Sequence, residues 1–225
     1  GKCKNCNTLM DTTPVVSVTT DDGTQCYDSV SEAVEAVNTD ATINVYADCS
    51  EDEKILLNAG DANVKFNIKE NVTLTANKGI EVESGNVVFD VKGTMETDDS
   101  LKYSIIAGKD AILTLNSGTY RGVKIIDGLL ADILQEGKVL VDENDNIVAH
   151  FGLENVSETD LTVSVKEHTN HNFTEGEKCS ICNVARTVIV TENPDNTTVN
   201  ETYFANFTEA WDYADGKKAT ITLLS

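Results

Sequence analysis

"VKFNIKENVTLTANKGIEVESGNVVFDV", residues 64–91, decides how the chain is read. Its apolar runs VKFNI, VTLTA, IEVES and VVFDV begin at 64, 72, 80 and 87, about one every eight residues, which is the spacing of a multi-stranded all-β architecture. Many alternate apolar and polar, and they are separated by Asn, Gly, Asp or Lys rather than by helices. YSIIA at 103, AILTLNSG at 111 and VKIID at 123 carry the texture onward. A β-sandwich would show similar runs. A parallel β-solenoid suits them better: three short strands and three tight corners make a coil of roughly 20–25 residues, and no hairpin dipeptide such as Asn-Gly separates the runs.

On either side of this block the sequence repeats itself. KCKNCN at 2–7 returns as KCSICN at 178–183, an offset of 176 from Cys3 to Cys179. The first copy is followed by YDSVSEAVEAVNTDATINVYAD (27–48), the second by YFANFTEAWDYADGKKATITLLS (203–225). With one-residue slips allowed, Tyr27 falls with Tyr203, Glu32-Ala33 with Glu209-Ala210, and Thr42-Ile43 with Thr220-Ile221. Each copy predicts a short amphipathic helix and then a strand. Val30, Ala33, Val34 and Val37 share one helical face by their spacing, and so do Phe207, Ala210, Trp211 and Ala214. Ser29 with Glu32, and Asn206 with Glu209, have capping-box spacing. Phe207 and Trp211 could form a carbohydrate platform, but their alignment with a Val/Ala stripe makes core packing the expected role.

The layout follows. Residues 1–20 read as the end of a preceding linker, and 21–128 as the solenoid module with a capping helix near 29–38. Residues 129–166 form a closing segment, 167–190 a His/Cys linker, and 191–225 the start of the next repeat with a helix near 206–215. In the closing segment LLADILQEG (129–137) reads as a short helix ended by Gly137, KVLVDENDNIVAHF as a β-hairpin, and DLTVSVKEH as an alternating strand. The chain is expected to be a fragment of something longer.

Composition narrows the partners. Seventeen basic against 38 acidic residues give a net charge of −21, which repels a phosphate backbone, so nucleic acid is not an expected partner. No apolar stretch approaches bilayer length and no secretion signal opens the chain, so membrane insertion is not expected either.

The densest chemistry is EHTNHNFTEGEKCSICN, residues 167–183. His168, His171, Cys179 and Cys182 supply four nitrogen and sulfur ligands of the types zinc prefers, and Gly176 lets the loop between the pairs fold back. Four protein ligands close a tetrahedron, so a metal here is structural; a Cys179–Cys182 disulfide and reduced thiols are the alternatives. No other cofactor is required. Cys3 and Cys6 form an incomplete half-site with no histidine pair before them. Cys26 and Cys49, on either side of the first helix and strand, form either a disulfide or two buried thiols. Asp142, Asn144 and Asn146 have calcium-loop spacing but lack the glycine and terminal acid of an EF-hand, so a hairpin turn is expected.

Taken together, the Y-x-S-x-x-E-A helix with TINVYAD, the DGLLADILQEGKVLVDENDNIV closing segment and HTNHNFTEGEKCSICN resemble right-handed β-helix, pectin-lyase-like repeat modules of large gut-bacterial cell-surface proteins. In the linker two residues stand between the histidines where that pattern has one. The resemblance implies an all-β, right-handed parallel β-helix with a short capping helix and a small C-terminal hairpin and linker region. It implies an extracellular, cell-surface setting. It also implies host or dietary glycans, surface proteins and adjacent repeats of the same polypeptide as partners. The expected function is a non-catalytic spacer or adhesion unit. The alternative is a polysaccharide-lyase-like enzyme, for which Arg121 and the Asp98-Asp99 pair are the nearest candidates; no catalytic residue is assigned.

Overall fold

The computed structural model describes residues 14–98, 100–169, 171–173, 177–192 and 200–224. Cys3, Cys6, Asp99 and Gly176 lie outside the described residues. Two compact units are present: one runs to Gln135 and resumes over Leu140–Lys166, and the other comprises Glu136–Val139 and the chain from Glu167 onward.

In the first unit β1 (Val16–Thr20) and β2 (Gly23–Tyr27) form a hairpin, α1 (Val30–Glu35) follows, and β3 (Ala41–Val45) returns antiparallel to β1. This sheet therefore takes in Val16–Thr20, a stretch that the sequence reading gave to the linker. It does so because Val16 and Val18 are core residues. The Ser29 side chain accepts from the Glu32 amide at 3.1 Å, as its spacing predicts, and Val30, Ala33, Val34 and Val37 are buried.

From β3 the chain winds through β4 (Cys49–Glu51), β5 (Ile55–Ile68), β6 (Thr73–Ala76), β7 (Ile80–Val91), β8 (Thr94–Glu96) and β9 (Ile105–Ile125). β3, β5, β7 and β9 pair in parallel, as do β4, β6 and β8, giving a β-solenoid of about three turns. Ala41, Val64, Val87 and Leu113 are successive partners, so the coils advance by 23, 23 and 26 residues. Like residues stack inside. Ile43, Phe66, Phe89 and Leu115 form one ladder, in which the two phenyl rings lie 5.0 Å apart and stacked; Ile55, Ile80 and Ile105 form another. Polar ladders line the outside: Asn67 donates to Asn44, Ser117 to Asp90, and Asn63 to Asp40.

Two of the three strands expected per coil are fused. β5 and β7 each run through a corner where the pairing register shifts, between Leu57 and Asn63 and between Val82 and Ser84. At the second corner Gly85 has φ +99° and lies so close to the coil below that a Cβ would stand 2.9 Å from that of Ala59. Only glycine fits both demands.

The unit closes with β10 (Lys138–Val141), β11 (Ile147–Ala149) and β12 (Glu158–Glu167), which extend the sheet in the order β11-β10-β12-β9. β10 and β11 are the expected hairpin. The expected helix at 129–137 is instead a turn. Asp132 accepts from the Leu129 amide, Leu134 makes a parallel bridge to Leu115, and the Leu115 amide donates to Ile133. Pairing with the last coil thus takes the backbone groups that a helix would use, while Leu130 and Ile133 are buried in the core. Among the described residues, no helix is long and apolar enough to cross a membrane.

In the second unit β13 (Val188–Glu192), β14 (Asn200–Phe204), α2 (Phe207–Ala214) and β15 (Ala219–Leu223) repeat the opening of the first. β13 pairs antiparallel with both β14 and β15, as β1 does with β2 and β3. Asn206 caps α2 by accepting from Glu209 at 3.0 Å. The ladders refine the alignment: Val16 faces Tyr27 where Val188 faces Phe204, so Phe204 rather than Tyr203 is the counterpart of Tyr27.

Candidate metal centre

Residues 177–186 form the tight half of the site. Lys178 bridges Ala185, the Cys179 amide donates to Val184 at 2.8 Å, and the Asn183 amide donates back to Cys179 at 2.9 Å. Asn183 has φ +64°, a left-handed turn position that asparagine tolerates. Cys179 and Cys182 are each 1% exposed, clustered with Phe173.

The histidine half starts where β12 ends. The His168 amide donates to the Gly137 carbonyl at 2.8 Å, and the Gly137 amide donates to the Cys182 carbonyl at 2.9 Å. One residue at φ +86° thereby holds both halves. Lys138 and Glu167 pair beside it.

The donor atoms converge. Sγ of Cys179 lies 3.7 Å from Nδ1 of His168, Sγ of Cys182 lies 3.2 Å from Nδ1 of His171, and all four donor atoms lie within 4.8 Å of one another. Zinc bonds of about 2.0–2.3 Å in a tetrahedron put donors roughly 3.3–3.8 Å apart. The four side chains are therefore compatible with one structural metal, after sub-ångström to ångström adjustments.

The two thiols differ in their electrostatics. Burial pushes the Cys179 thiol up, but the amides of Cys182, Ile181 and Asn172 and the His171 ring converge on its sulfur and bring it down to about 7. At Cys182 burial prevails, the neighbouring Cys179 adds to it, and the thiol is pushed up to about 11. A cation among the four donors would relieve that opposition, because a metal-bound thiol is held deprotonated.

The other candidates are spread through the first unit. Cys26 is exposed on β2 and Cys49 is half-buried at the start of β4, each a free thiol in this structure. Burial, with Glu51 and Asp48 adding to it, pushes Cys49 up to about 11. Arg121 lies on β9, and its charge adds to the Ser100 hydrogen bonds that hold the Asp98 carboxyl below its ordinary range. Asp142 accepts from the Asn144 and Asn146 amides, which is the predicted hairpin turn.

Sequence reasoning missed Gly137 and Glu51. Glu51 accepts from the Val30 amide at 2.6 Å and the Ser31 hydroxyl at 2.6 Å, tying the start of α1 to the first coil. No local pattern hints at this, because Glu51 lies within the acidic run DCSEDE at 48–53 and only the fold singles it out by burial. No protein-family model, curated protein or solved structure matches the chain.

Proposed function

We propose that the chain is a non-catalytic repeat module of an exported bacterial surface protein, a pectin-lyase-like β-solenoid serving as spacer or adhesion unit. His168, His171, Cys179 and Cys182 hold a structural zinc at the junction between repeats. The observation that carries this reading is a cap built twice, with the four-donor cluster directly before the second copy. Four protein donors leave no coordination position for a reacting water, so the metal fixes the chain and performs no chemistry. Glycans and surface proteins are the partners of this reading.

Metal analysis of metal-replete protein tests the zinc. One zinc per chain is expected, with none in the Cys179→Ser, Cys182→Ser double variant; well under one per chain overturns the staple. Glycan arrays test the adhesion role. The alternative reading is a lyase acting on acidic polysaccharides, for which Arg121 on β9 and Asp98 are the nearest candidates. Lyase activity that disappears in Arg121→Ala would replace the non-catalytic reading.

A further inference from the structure

The second cap exposes the face that the first cap buries. In the first, the outer edge of β3 pairs in parallel with β5, Ala41 opposite Val64 and Val45 opposite Ile68, and α1 packs against β5. In the second, the sheet order β14-β13-β15 leaves the equivalent edge of β15 without a strand among the described residues. The side chains follow the backbone. Val34 is 2% exposed and its counterpart Trp211 is 60%; Val45 is 0% exposed and its counterpart Leu223 is 68%. Phe207, the counterpart of Val30, is also exposed. The stripe expected to pack in a core is thus half uncovered, with Ala210 buried beneath it. An open strand edge next to exposed aromatic and aliphatic side chains is a template for pairing.

We infer that the β15 edge and the Phe207/Trp211 face of α2 are the docking surface for a β-solenoid coil of the same build as residues 47–68, carried on the same polypeptide. The coil seats in parallel, with an apolar-x-apolar-x-apolar strand like VKFNI opposite Ala219, Ile221 and Leu223. This rests on the repeat-module reading and names the partner of its second cap. A coil is the occupant because a coil covers this face in the first cap, on a sheet of the same pairing. The same polypeptide is its source because a net charge of −21 repels separate copies, while a tethered coil meets the face at an effective concentration in the mM range.

The test appends a second copy of residues 47–166 after Leu224 of the full chain, so that β15 takes the place of β3. Trp211 is the single tryptophan and reports on the face directly. Its emission is expected to move to the blue and its acrylamide quenching to fall several-fold relative to the parent chain. Phe66→Asp in the appended copy alone should abolish both changes. A Trp211 that stays as quenchable as in the parent overturns the proposal, whether or not the appended coils gain strand signal. A concentration-dependent blue shift of the parent chain, with a dimer in sedimentation, also overturns it and assigns the face to a second copy. Zinc content measured on the same samples separates failure of docking from failure of the zinc reading.

Discussion

The two caps share a strand pairing and a helix start but differ in what lies on top. In the first, a coil turns Val34, Val37, Ile43 and Val45 into core; in the second, the corresponding face meets solvent and the apolar content sits beside a His/Cys cluster. The difference teaches that the cap is a local design and its burial is not. Capping boxes and hairpin pairings form from residues close in sequence, whereas the hydrophobic stabilisation of the stripe waits for a neighbour.

Removing metal should separate the copies most. Chelation of the zinc-loaded protein is expected to destabilise the second unit by an amount on the order of 10 kcal/mol, the scale of structural zinc sites. The first unit supplies none of the four donors and should keep its amide protection. Hydrogen exchange reads both units at once, and simultaneous loss of protection in β5 and β7 would erase the distinction. Next comes the pair Ile43→Ala and Ile221→Ala. The fully buried Ile43 should cost about 2–5 kcal/mol, and the half-buried Ile221 less than half as much; equal costs in urea melts would mean that the caps are equally packed. Glu51→Gln is smaller, about 1–3 kcal/mol, because it weakens buried charged hydrogen bonds to the start of α1. An unchanged urea midpoint would make that tie incidental. The smallest effect is kinetic and confined to the first cap. With its thiol pushed up to about 11, Cys49 is roughly a thousandth thiolate at pH 8. Iodoacetamide should therefore label exposed Cys26 first, and raising the pH toward 11 should speed Cys49. Labelling of either only after reduction would establish the disulfide instead.

Much of this was legible in the sequence. Runs at 64, 72, 80 and 87 became solenoid strands because alternation survives regardless of neighbours, and Ser29 and Asn206 announced both helices. The His/Cys spacing announced the cluster that the fold brings together. Other features depend on partners distant in the chain. LLADILQEG carries helix-forming residues, yet Leu115 captures its backbone from the last coil. Strand fusion at Gly85 depends on the proximity of Ala59. Gly137 looked like a helix terminator and instead clasps His168 to Cys182. Trp211 carries a core-like pattern, and no pattern within one helix reveals whether its cover is present.

The coil step of 23–26 residues has a consequence for economy of length. Each coil raises the stack by one strand spacing, about 4.8 Å, whereas 23 residues of α-helix would reach roughly 35 Å. A polypeptide selected for reach alone would be spending its residues badly here. What each coil adds is breadth: a fresh rung on several flat sides, set in fixed register with the rung before. Repeats built this way add breadth at every short step, and the exposed ladder at Asp40–Asn63 is where a ligand screen should be read first.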